Sequence, residues 1–175
     1  MIPGFLIAIL TFPGVMVHEI AHQLFCRFAR VSVFEVVYFQ FKNPVGYVLH
    51  EIPSQPWQHI LIGIGPFIVN TVIGAIIAAP AAVQVIKFDT GGPLEYFLIW
   101  LGVSIAMHSF PSTGDANSIW AAIKNKETPI LTKIVATPII IIIFICAVGS
   151  VVWLDLIYGL AVTMLIPNLI VHLMV

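Results

Sequence analysis

Apolar residues dominate five stretches of the chain, 1 to 26, 57 to 80, 93 to 110, 130 to 152 and 155 to 174, with shorter polar segments between them. A helix needs about 20 predominantly apolar residues to cross the roughly 30 Å hydrocarbon core of a bilayer. The pattern therefore predicts about five transmembrane helices. The first run has no basic segment ahead of it and no small-residue cleavage site, so it is expected to be a retained span rather than a signal peptide. Between the first two runs, VSVFEVVYFQF (31 to 41) and YVLHEI (47 to 52) are rich in β-branched and aromatic residues and flank the turn-like KNPVG. That combination predicts a small β-hairpin. Residues 81 to 92, with the Gly91-Gly92 pair, predict a loop, and 107 to 127 predict a break at Pro111 followed by an amphipathic stretch ending in Lys124 and Lys126. Pro138 and Pro167 are expected to kink the last two spans, which are separated by little more than Asp155. The expected fold is an all-α polytopic membrane protein with a hairpin insert, forming one membrane domain over 1 to 175.

Composition sharpens this picture. The chain is 60% hydrophobic and 9% charged, against about 25% charged residues in an ordinary soluble domain. A net charge of −1 offers no basic surface for nucleic acid. Cys26 and Cys146 lack a C-x-x-C spacing and read as small packing residues. Of the seven Lys and Arg residues, Arg27, Arg30, Lys42, Lys124, Lys126 and Lys133 fall on one side of the predicted spans and Lys87 on the other. The positive-inside rule then expects an external amino terminus and a cytoplasmic carboxyl terminus.

Against the apolar background stand His18, Glu19 and His22, in VMVHEIAHQLF. Positions i and i+4 share a helix face, so the two imidazoles can meet one metal ion, while Glu19 lies about 100° around the helix, beside the metal. Zinc brings the pKa of bound water to about 7, and a carboxylate at that place can take its proton and pass it to a leaving amine. Random order of this composition would give the pattern roughly 0.006 times. The rival reading is a polar seam between packed helices, but ionisable groups inside a span cost about 2.5 to 3.5 kcal/mol each and tend to mark function. Arg27 follows His22 by five residues, about 7.5 Å of helix rise, so the site is expected near one membrane face. His50-Glu51 repeats the first two letters without a second histidine and reads as hairpin. His59, opening the next helix, reads as an interfacial side chain. Asn70 in mid-span stands out, whereas Asp115, near a helix start, can serve merely as a cap.

HEIAH at 18 to 22, GPFIVN at 65 to 70 and the Asp115 region together resemble the site-2 protease family of intramembrane zinc metalloproteases. The resemblance implies a catalytic core within 1 to 127, with residues 128 to 175 as two additional transmembrane helices. It implies one Zn2+ per chain held by His18, His22 and Asp115, Glu19 as catalytic base, and Asn70 near the bound peptide. His108, at the end of the same span as the Asp115 loop, is the alternative third ligand, or else a hydrogen-bond donor to one of the ligands. Gly114-Asp115-Ala116 replaces the family's Leu-Asp-Gly, and His108 stands where Asn is usual, which marks a minimal or divergent member. The hairpin also resembles the family, where an edge strand can present an extended substrate.

The expected activity is hydrolysis of a peptide bond in a membrane-embedded protein substrate near the cytoplasmic face, the substrate helix unwinding locally to expose its carbonyls. The alternatives are a non-catalytic membrane protein that binds a client or metal, for which Glu19 has no use, and a metal transporter, which needs polar groups spread across the membrane depth. The pattern says nothing of oligomeric state.

Overall fold

The computed structural model describes residues 4–174; the first three residues of the expected first span, and Val175, lie outside them. The chain is mostly helical: α1 (Gly4–Leu10), α2 (Phe12–Phe28), α3 (Pro56–Phe88), α4 (Pro93–Met107), α5 (Thr113–Lys124), α6 (Ile130–Gly149), α7 (Leu154–Leu160) and α8 (Ile166–Met174), with strands β1 (Val33–Val37) and β2 (Tyr47–His50) between α2 and α3. Three helices, α3, α6 and the continuous stretch Leu154–Met174, are long and apolar enough to cross a membrane, or four if the bent α1–α2 pair counts as one. The outward face of α6 carries Ile141, Ile142, Ile145 and Val148, all more than half exposed. An apolar helix with an apolar outer face belongs in lipid.

Several predicted boundaries move. The first run is not one helix but two, meeting at 90°. Pro13 occupies the first turn of α2, where its missing N–H costs nothing but its ring bars continuation from the preceding turn. The expected loop at 81 to 92 shrinks to four residues, because α3 runs through Pro80 to Phe88. Ala81 and Ala82 directly after that proline are buried, and such packing compensates the lost backbone hydrogen bond. The expected third span is only the 15-residue α4, about 22 Å long and shorter than the hydrocarbon core. Asp155 lies in the first turn of α7 and not between spans; the break falls at the 3₁₀ turn Ser150–Val152 and at Trp153, which has φ 64°. Ahead of Pro167 the helix widens into a π turn over Ala161–Leu165, a common way of absorbing an irregular backbone hydrogen bond within a helix.

The long helix α3 packs antiparallel along α4, and small residues set their separation: a Cβ built on Gly102 would sit 2.4 Å from that of Ala78. Helix α2 crosses both. At Gly14 a Cβ would overlap the Ser104 carbonyl of α4, so only glycine lets the backbones approach this closely. Cys26, Ala29, Val31 and Ile62 form the apolar cluster that joins the end of α2 to α3, and Gln58 Nε2 donates to the Ala29 carbonyl at 2.8 Å. A second cluster joins α5 to α6 through Ala116, Ile119, Ile123, Ala136, Ile140 and Ile143. Both cysteines are unpaired and buried. The hairpin is antiparallel, with Val36 opposite Val48 and Val37 opposite Tyr47.

Candidate metal centre

These contacts bring the middle of α2, the start of α3, the end of α4 and the start of α5 to one place. There His18, His22 and Asp115 each offer a ligand atom, all within 4.8 Å of one another. His22 Nε2 lies 3.1 Å from His18 Nε2 and 3.5 Å from Asp115 Oδ1. In a tetrahedral site with zinc bonds of about 2.0–2.1 Å, neighbouring donor atoms sit about 3.3 Å apart, so the donor set suits that ion and the two pairs made by His22 are close to its spacing.

The outer nitrogens of the two imidazoles explain why the inner ones face each other. His18 Nδ1–H donates to the His108 carbonyl at 2.7 Å, and His22 Nδ1–H donates to the Ile62 carbonyl at 3.2 Å. A backbone carbonyl can only accept, so each Nδ1 must carry the proton and each neutral ring then turns a bare Nε2 inward. Two facing lone pairs and a carboxylate require positive charge between them, either a shared proton on His22 or a metal ion.

Asp115 serves two neighbours at once. It is the third residue of α5, and its Oδ2 accepts from both the amide and the hydroxyl of Ser112 at 2.7 Å, closing a capping box. The spacing Ser112-x-x-Asp115 is a sequence signature of that box. The cap leaves Oδ1 aimed at His22. Burial acts to raise this carboxyl, but His22, through its charge and hydrogen bond, outweighs it with help from His18 and Ser112, and holds the group well below the usual carboxylate range.

Glu19 is buried at 8% exposure and lines two cavities that meet at the cluster. The larger, about 400 Å³, is walled by β2 residues Tyr47, Val48 and His50 and by His59 and Ser118. The hairpin turn covers Glu19 closely: a Cβ on Gly46 would come 2.8 Å from Glu19 Cγ, so this position admits only glycine without rearrangement. Of the two hairpin strands, β2 is the one that lines this cavity.

Two expected site residues stand elsewhere. The His108 ring turns away from the cluster: Thr11 Oγ1 donates to the Ile7 carbonyl and so accepts from His108 Nε2 at 2.8 Å. What His108 gives the cluster is its backbone carbonyl. Asn70 is wholly buried and, rather than lining the 400 Å³ cavity, donates from Nδ2 to the carbonyls of Gly14, Ile105 and His108 at 3.1–3.2 Å. It ties α2 to the end of α4 and so fixes the carbonyl that orients His18. Backbone acceptors such as His108 and Ile62 have no letter in the sequence, which is why their part in the site was not foreseen.

Two inward imidazole nitrogens, a carboxylate and a glutamate following the first histidine are the equipment of a zincin, a zinc peptidase built on an H-E-x-x-H helix. Residues 11–130 match the DUF3267 family, described as "Putative zincin peptidase", and the chain belongs to that family. Comparison with curated proteins and with solved structures finds no match.

Proposed function

We propose that the chain is an intramembrane zinc endopeptidase of the site-2 protease kind, which cuts a membrane-embedded protein substrate near the cytoplasmic face. The observation that carries this reading is the convergence of His18, His22 and Asp115 donor atoms within 4.8 Å, at a cavity bordered by Glu19 in a bundle of apolar helices. One zinc held by these three residues would supply a Lewis acid for the scissile carbonyl and a more acidic water. Glu19 is the base that receives the proton of the attacking water and delivers it to the leaving amine. The strand β2 offers an extended peptide a backbone to lie beside. Asn70 contributes by holding α2 against α4 and not by touching the peptide.

The same reading counts the bent α1–α2 pair and the short α4 as crossings with α3. The amino terminus is then external, with the residues up to 127 forming the catalytic core. Asp155 shares a cavity with His18 and Glu19, while Lys87 Nζ donates to the Val171 carbonyl at 3.1 Å, so Leu154–Met174 runs from the site face to the Lys87 face and the carboxyl terminus is external, not cytoplasmic as expected. The test is the zinc content and peptidase activity of the protein purified in detergent. About one zinc per chain is expected, with cleavage of a membrane-protein reporter lost on chelation and restored by added zinc. Undiminished cleavage by metal-stripped protein would overturn the proposal.

A further inference from the structure

The 400 Å³ cavity holds a second polar pair that the zinc chemistry leaves unused. Ser118 lies three residues after Asp115 on α5, and His59 three residues before Ile62 on α3, so the pair repeats the Asp115 and Ile62 positions one helical turn further along both helices. Ser118 Oγ is 2.8 Å from His59 Nδ1, and His59 Nε2 is 3.0 Å from the Pro53 carbonyl. Both side chains are partly buried and face the same cavity as His18, Glu19 and His22.

The hydrogen bonds fix which way the serine points. The Pro53 carbonyl can only accept, so His59 Nε2 carries the proton. In the neutral ring Nδ1 is then an acceptor and takes the Ser118 hydroxyl proton. With its only proton committed to His59, Ser118 Oγ presents lone pairs to the cavity and can act there as an acceptor alone. An extended peptide supplies the complementary group, because its backbone N–H groups lie unpaired along its edge.

Resting on the peptidase reading of this cavity, we propose that Ser118 accepts a backbone N–H of the peptide beside the metal cluster, and that His59 is a positioning residue which holds the serine proton so that the oxygen faces the peptide. The structure offers a built pair here, not a lone polar residue. Its ligand is defined by chemistry: an extended main chain with a free N–H, whatever its side chains.

The test uses the full-length protein in detergent and dye-labelled hexapeptide hydroxamates, each compared with depsipeptide twins in which one amide N–H is replaced by an ester oxygen. Anisotropy titration of wild type is expected to show one twin bound about 3- to 10-fold more weakly than its peptide, the size of one net hydrogen bond. Ser118→Ala should erase that discrimination at unchanged zinc content, and Ser118→Thr should keep it. His59→Leu should weaken it, whereas His59→Asn, whose amide oxygen can stand in for Nδ1, should restore it. Discrimination that survives intact in Ser118→Ala, or a wild type that discriminates no twin, would overturn the proposal. Loss of discrimination in a protein that cleaves nothing would uphold the subsite and defeat the peptidase reading, while cleavage with unchanged discrimination would do the reverse.

Discussion

Asp115 Oδ1 lies 3.5 Å from His22 Nε2, while the other oxygen of the same carboxylate caps its own helix through Ser112. The start of α5 and the H-E-x-x-H helix α2 are joined by this side chain. Cap and ligand are therefore separable by mutation.

Asp115→Ala should abolish zinc binding and activity together, since a catalytic zinc needs three protein ligands and α2 supplies two. Ser112→Ala removes the hydroxyl's hydrogen bond to the carboxylate but keeps that of the amide, and should weaken zinc binding by about 10- to 100-fold without abolishing it. His108→Ala keeps the carbonyl that holds His18 and should retain the metal. Competition titration against a zinc chelator distinguishes the three; retained zinc in Asp115→Ala with loss in His108→Ala would exchange their roles.

Asn70→Ala should destabilise the protein although the residue stands outside the cavity. Its Nδ2 donates to carbonyls of α2 and of the end of α4, and losing these bonds costs about 0.5–1.5 kcal/mol each. A fall of several degrees in the detergent melting temperature is expected, with weaker zinc binding as a consequence. An unchanged melting temperature would contradict the strut role.

The hairpin was legible from its β-branched runs and the intervening turn, and the helical pair of histidines from its spacing alone. What the sequence did not disclose was which strand meets the cavity, because both runs carry β-branched and aromatic residues and the packing of Gly46 over Glu19 is a tertiary contact. The bend at Thr11 follows from Pro13, a signal present in the sequence but overridden in a hydropathy reading that treats 1 to 26 as one apolar run. Conversely Pro80 suggested a helix end that buried Ala81 and Ala82 override. Asp115 was visible as a polar residue at a helix start, but its two tasks depend on where α5 meets α2.

Val48→Pro places a residue without an N–H in the strand that lines the cavity. Cleavage should fall by more than 10-fold while zinc content stays near that of wild type, since an extended peptide beside β2 depends on ordered strand geometry. Equal activity in this variant would return the hairpin to a purely structural part.

Reporter fusions test the orientation. An insertion near Thr90 and a fusion after Val175 should both read as external, because six of the seven basic residues cluster on the opposite side from Lys87 and Lys87 Nζ donates to the Val171 carbonyl. Reporters on opposite sides would contradict the packing of α8 on the end of α3, and both reading as cytoplasmic would reverse the sidedness of the site.

The central claim is that Glu19 acts as base beside a zinc held by its neighbours, and Glu19→Gln tests it most directly. The amide keeps the shape and burial of the side chain but cannot take the proton, so cleavage should drop by about 10²- to 10⁴-fold while zinc stays near one per chain. Cleavage within about tenfold of wild type, measured on protein that retains its zinc, would contradict the account.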